Sequence, residues 1–243
     1  MFEAERDKYL TSHGFEAMHL KAVLFDMDGV LFDSMKNHAE AWHRAMTLIG
    51  FDFPKAEAYM HEGRTGSGTI NIISQRQWHR DATEEEKERI YKMKSDIFNS
   101  LPTAEPMPGA WELLQQLRAD GITPILVTGS GQASLLDRLN KHFPDTFHPE
   151  LMVTAFDVKY GKPNPEPYLI GKQKGDLELY QGIVVENAPL GVEAASKAGF
   201  FTVAVNTGPL DDQILLDAGA HLLLHSMQEL SERWEDLRTC MQQ

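Results

Sequence analysis

The chain has 243 residues, ordinary apolar content and a formal net charge of −13. That length suits one large or two modest domains. The acidic balance argues against a general nucleic-acid or anionic-membrane binder, though not against a local site for an anionic substrate. The single cysteine, Cys240, excludes an intrachain disulfide and hints at a reducing compartment. The amino end is charged and mixed, without the apolar run of a signal peptide, and no stretch reaches transmembrane length. The expectation is a soluble, cytoplasmic protein, monomeric by default, with no nucleic-acid or membrane partner.

Residues 1–19 read as a short amphipathic appendage with no evident chemistry. Residues 21–26 read as a buried strand, Ala22-Val23-Leu24-Phe25 running into Asp26-Met27-Asp28-Gly29-Val30. Two carboxylates one residue apart, where a buried strand meets a glycine turn, oppose each other's ionisation. A hard divalent cation with oxygen ligands, typically magnesium, is the simplest remedy.

From Asn37 to Phe98 helical periodicity replaces strand runs. Ala41, Trp42, Ala45, Met46 and Ile49 share one face of a helix expected over 37–49. Thr83 followed by Glu86 is a capping box opening another. After the proline-rich return 102–108, strand and helix alternate. Strands are expected at 122–127, 151–153, 183–185, 201–205 and 221–224. Helices are expected at 111–118, 135–139, from Pro165 to Lys172, and from Leu190 to Ala198, the last closed by Gly199. This alternation predicts an α/β fold, a doubly wound parallel, Rossmann-like sheet with an inserted helical-bundle cap. The core is then residues 20–35 and 104–243, and the cap residues 36–103.

Four strand ends carry polar groups that such a sheet gathers at one rim. They are Asp26 and Asp28; Thr128-Gly129-Ser130; Lys162, in the loop Gly161-Lys162-Pro163; and Glu186-Asn187. Taken singly, each reads as readily as a turn, a surface lysine or a loop. Together and in this order they resemble the motifs of the haloacid dehalogenase superfamily of phosphotransferases, over most of residues 20–224. The helical insertion after Phe32-Asp33-Ser34 resembles the cap of its β-phosphoglucomutase-like branch, with His38 and Trp42 at the cap entrance.

That resemblance implies Asp26 as the nucleophile forming an aspartyl-phosphate and Asp28 as general acid, then base. It implies that Thr128, Gly129, Ser130 and Lys162 bind the phosphoryl group, with His38 and Arg64 as further substrate contacts. Magnesium would be held by Asp26, Asp28 and the Glu186-Asn187 loop. An acid at position 28 suits an oxygen leaving group and argues against dehalogenation.

Two departures bear on the substrate. The branch's metal loop ordinarily carries two acids, and here the second is Asn187. In the cap loop 59–66, Glu62 stands where β-phosphoglucomutase has a lysine. A glutamate facing phosphate needs a cation between them, so Glu62 is expected to complete the magnesium shell and offset Asn187. Gly131 replaces a basic residue that helps hold a sugar bisphosphate, which argues against a mutase. The chain further resembles the branch's inorganic pyrophosphatases, which carry a glutamate at the cap position. The expected activity is magnesium-dependent hydrolysis of pyrophosphate. The alternatives are a sugar-phosphate phosphatase or β-phosphoglucomutase and, from another class, a non-catalytic binding module.

Overall fold

The computed structural model describes residues 2–131 and 135–242. Helix α1 (Glu3–His13) precedes strand β1 (Ala22–Phe25). Four helices follow before the next strand: α2 (Met35–Leu48), α3 (Lys55–Met60), α4 (Gly66–Trp78) and α5 (Glu84–Ser100). The alternating part then runs α6 (Ala110–Ala119), β2 (Thr123–Val127), α7 (Leu135–His142), β3 (Met152–Val153), α8 (Glu166–Lys174), β4 (Gly182–Glu186), α9 (Pro189–Ala198), β5 (Phe201–Val205), α10 (Asp212–Asp217) and β6 (Leu222–Leu224). Helices α11 (Met227–Glu232) and α12 (Trp234–Cys240) complete the described chain.

The six strands form one parallel sheet in the order β3-β2-β1-β4-β5-β6. Strands β1, β4 and β5 are buried along their whole length, which is why they read as unbroken apolar runs. Successive side chains point to opposite faces. Val23, Phe25, Ile183 and Val185 join the apolar layer on one side, whereas Ala22, Leu24 and Val184 join the layer on the other.

The helices from α2 to α5 pack around their own apolar cluster, including Trp42, Met46, Phe53, Ile70 and Ile90. Thr83 and Glu86 make both halves of the expected capping box. Helix α1 docks on the core. Tyr9 is buried, donates its hydroxyl to the Gly199 carbonyl at 2.8 Å and packs edge-on against Phe201. Among the described residues, no helix is long and apolar enough to cross a membrane.

The chain order reverses at β1, whose neighbours β2 and β4 lie on either side. Ligands of open α/β sheets bind at such a switch point. The register pairs Phe25 with both Leu126 and Val185, so the next residues, Asp26, Val127 and Glu186, end three adjacent strands side by side.

Candidate active site

That register determines what a single cation can reach. The Lys162 ammonium donates to Asp26 Oδ1 at 2.5 Å, Glu186 Oε1 at 2.6 Å and the Val127 carbonyl at 3.0 Å. All three of its protons are used, each at the end of a different strand. The lysine is 1 % exposed and Glu186 fully buried. Burial opposes the charge on Lys162, but Asp26 and Glu186 outweigh it and hold the ammonium protonated. One ammonium cannot neutralise two carboxylates. Burial first, then Glu186 and Asp28, push Asp26 up to about 7, with Lys162 pulling the other way. Asp26 is therefore short of positive charge.

Asp28 sits on the turn that closes at Gly29. That glycine has φ of 84°, and an added Cβ would lie 2.0 Å from the Asn187 amide nitrogen. Asp28 Oδ1 accepts from Ser34 Oγ at 2.5 Å, from His38 Nε2 at 3.2 Å, and lies 3.6 Å from Arg138. Burial works to raise its pKa, but His38, Arg138 and Ser34 prevail and hold it below the ordinary carboxylate range. His38 is itself lowered, by burial and then by Lys94, so at neutral pH it is a neutral donor and Arg138 supplies the lasting charge. Lys94 Nζ donates to His38 Nδ1 at 2.8 Å. It is 3 % exposed, lies near the rings of Trp42 and Phe98, and burial lowers it to about 8.

Thr128 follows β2 and is buried, its hydroxyl accepting from the Ser130 amide at 3.1 Å. Thr128, Gly129 and Ser130 line a cavity together with Asp26, Asp28, His38, Glu62 and Arg64. Its volume is about 70 Å³, well under the roughly 300–1,000 Å³ of ordinary ligand pockets.

The cap loop between α3 and α4 lies directly on this rim. Glu62 is 8 % exposed and its Oε1 accepts from Asn187 Nδ2 at 2.8 Å. Close approach is possible because glycines face it. A Cβ on Gly129 would lie 2.9 Å from the Gly63 carbonyl, and one on Gly161 would lie 2.6 Å from Thr65 Cγ2. Burial, reinforced by Asp26, Glu186 and Asp28 against the Asn187 hydrogen bond, pushes the Glu62 carboxyl well above its ordinary range.

Among the described residues, no three His, Cys, Asp or Glu side chains are arranged to hold a metal by themselves. A cation here needs other oxygens, and one is available. Asn187 Oδ1 is buried without a hydrogen-bond partner, beside a Glu62 carboxylate that burial leaves short of positive charge. Asp26, Glu62 and Asn187 Oδ1 thus fit a hard cation.

Two side chains with expected ligand roles are engaged within the protein. Glu186 does not present a free carboxylate as a metal ligand. Its Oε1 accepts from Lys162 and from Tyr168 at 2.8 Å, and its Oε2 accepts the amides of Asn187 and Ala188 at 3.0 and 3.2 Å. His38 is not free to bind phosphate, because both ring nitrogens are engaged, by Asp28 and Lys94. Ser34, Lys94, Arg138 and Tyr168 went unread in the sequence. Lys94 had a signal: it lies four residues after Ile90 and four before Phe98, on the buried face of α5.

The profile of haloacid dehalogenase-like hydrolases matches residues 20–199. A Thermotoga maritima phosphatase of phosphorylated carbohydrates is 30% identical over 206 residues, covering 84% of this chain and 94% of its own. Escherichia coli hexitol phosphatase A is 31% identical over 215 residues, covering 88% and 94%. A Bacteroides vulgatus structure described as a candidate β-phosphoglucomutase is 57% identical, with a TM-score of 0.97, covering 100% of this chain and 98% of its own. None of these three is named for pyrophosphate, so the likeness to pyrophosphatases drawn from Glu62 gains no support from them. The motif order, the rim geometry and these matches agree: the chain belongs to the haloacid dehalogenase-like hydrolases, in their β-phosphoglucomutase-like branch.

Proposed function

We propose that the protein is a magnesium-dependent phosphohydrolase working through an aspartyl-phosphate on Asp26, with inorganic pyrophosphate as its substrate. An Asp26 carboxylate oxygen attacks phosphorus, and the bond to the leaving oxygen breaks with its electron pair. Water then attacks the phosphoryl-enzyme, Asp28 takes its proton, and the Asp26 carboxylate is released. Lys162 offsets charge on Asp26 and the incoming phosphoryl group, and Thr128 to Ser130 hold phosphoryl oxygens. Asp26, Glu62 and Asn187 would hold a magnesium ion, which would supply the charge neutralisation that phosphoryl transfer chiefly needs.

The observation that carries the substrate is Glu62, buried against Asn187 over a cavity of only about 70 Å³. An acid there turns away a bare phosphate and favours a compact anion that arrives with a cation. Asp28, held ionised, suits a phosphate leaving group, which needs less proton help than an alkoxide.

The second reading is a phosphatase of phosphorylated carbohydrates. The relatives support it, and taken alone they favour it over pyrophosphate. The deciding experiment is phosphate release from pyrophosphate and from a panel of hexose, pentose and hexitol phosphates, with and without magnesium. A sugar phosphate turned over as fast as pyrophosphate, or faster, overturns the first reading in favour of the second.

A further inference from the structure

Helix α8 faces the sheet and brings one aromatic side chain under the catalytic rim. Tyr168 is completely buried, in the apolar layer with Leu24, Val127 and Val184. Its hydroxyl donates to Glu186 Oε1 at 2.8 Å, the same oxygen that accepts from Lys162. The hydroxyl is the donor and the Glu186 oxygen the acceptor. Burial, with Glu186 beside it, pushes the phenol well above its ordinary range, so it stays protonated and keeps donating.

The Glu186 carboxylate has little freedom otherwise. One oxygen takes the Asn187 and Ala188 amides at the start of α9. A Cβ on Gly191 would fall 1.8 Å from Oε1, so the carboxylate is packed flat against that residue. On Oε1 the remaining partners are the ammonium and the phenol. The phenol therefore shares the charge that would otherwise draw Lys162 away from Asp26.

We propose that Tyr168 is a positioning residue for phosphoryl transfer. By donating to Glu186 it balances the Lys162 ammonium between Glu186 and Asp26, so that Asp26 attacks with its charge offset. The proposal rests on the phosphoryl-transfer reading above and is independent of which phosphorylated substrate is used.

Tyr168→Phe removes one hydroxyl and keeps the ring. With p-nitrophenyl phosphate and magnesium, kcat should fall by about tenfold, the scale of one hydrogen bond to a charged group, while KM changes less than about threefold. In a Glu186→Gln background the same change should have little further effect, because residues acting through one another are not additive. Crystal structures of wild type and Tyr168→Phe, grown alike, should show Lys162 Nζ shifted toward Glu186. An unchanged kcat, or effects of the two substitutions that simply multiply, overturns the proposal. If Tyr168→Phe folds poorly, unfolding midpoints reveal it, and the Lys162 position in the crystals decides instead. If the wild-type enzyme releases nothing from any phosphorylated compound, the functional reading fails. The crystallographic comparison then tests the positioning of Lys162 separately.

Discussion

Asn187 of the core donates its side-chain amide to the carboxylate of Glu62 in the cap, over 2.8 Å. This contact crosses the seam between the two parts of the molecule. Both residues were the departures on which the substrate expectation rested, and the structure places them in contact.

Replacing Glu62 with Gln should therefore affect metal use more than folding. Turnover should fall by roughly 10- to 100-fold, as for groups that tune a metal site, and saturation should require more magnesium. Thermal unfolding should hold or rise, since an acid that burial disfavours has been made neutral. Initial rates across a magnesium series, beside the unfolding midpoint, make the check. An unchanged magnesium dependence would reduce Glu62 to a seam contact.

Asp26 and Lys162 should part company in stability. Lys162→Met leaves Asp26 and Glu186 facing each other unneutralised. It should abolish turnover and destabilise the fold by about 3–5 kcal/mol. Asp26→Asn should abolish turnover as completely and leave no phosphoryl-enzyme, yet match or exceed wild-type stability, because Lys162 then balances Glu186 alone. Denaturant unfolding of both variants checks the contrast, and equal losses would contradict it.

Cap seating can be probed at the glycine that precedes Lys162. The Cβ in Gly161→Ala would meet Thr65 Cγ2 at 2.6 Å, which is too close without movement of the cap loop. Turnover at low substrate should drop by about tenfold, or ~1.4 kcal/mol, with little change in unfolding midpoint. Small-angle scattering should report a more open molecule. Full activity would mean that the seam yields freely.

The docking of α1 carries a pH signature. His221 Nδ1 accepts from the Thr202 amide at 3.1 Å, and the ring stacks on Phe201 and meets Tyr9 edge-on. Burial, then His13 and Lys8, push its pKa down to about 4. The folded value lies below the unfolded one, near 6.5. Between those limits the unfolded chain binds the proton more readily, so stability falls as pH drops through the window and levels off below it. His221→Asn keeps an acceptor for Thr202 and should lose between about 1 and 3 kcal/mol less across that window. Parallel urea titrations from pH 7 to 4 test this. Identical slopes would point to the carboxylates alone.

The rim was legible in the sequence because parallel strands buried on both faces are unbroken apolar runs, and each run ended in a polar group. Asp26, Thr128, Lys162 and Asn187 could be found that way. What each carboxylate touches could not. Glu186 looked like a ligand by its place in the loop, yet its oxygens are occupied by partners 1, 2, 18 and 24 residues away. Tyr168 went unread, because its hydroxyl matters only once α8 packs on β2 and β3 and brings it to Glu186. Helices α10 to α12 were missed because short amphipathic segments beyond the last glycine turns leave little periodic signal. Pyrophosphate was inferred chiefly from Glu62, with Asn187 and Gly131 beside it, against relatives named for phosphorylated carbohydrates and hexitols.

The triple attachment of Lys162 also bears on how such an enzyme can change. Its ammonium ties together the ends of three strands, so a substitution that removes it also loosens the sheet. Loss of the lysine is then penalised twice, through rate and through folding. The cap loop bears no comparable load: His61 to Thr65 connects two helices and could be rebuilt without disturbing a strand. New substrates should accordingly arise by changes in that short connector around Glu62, over a core rim that stays the same.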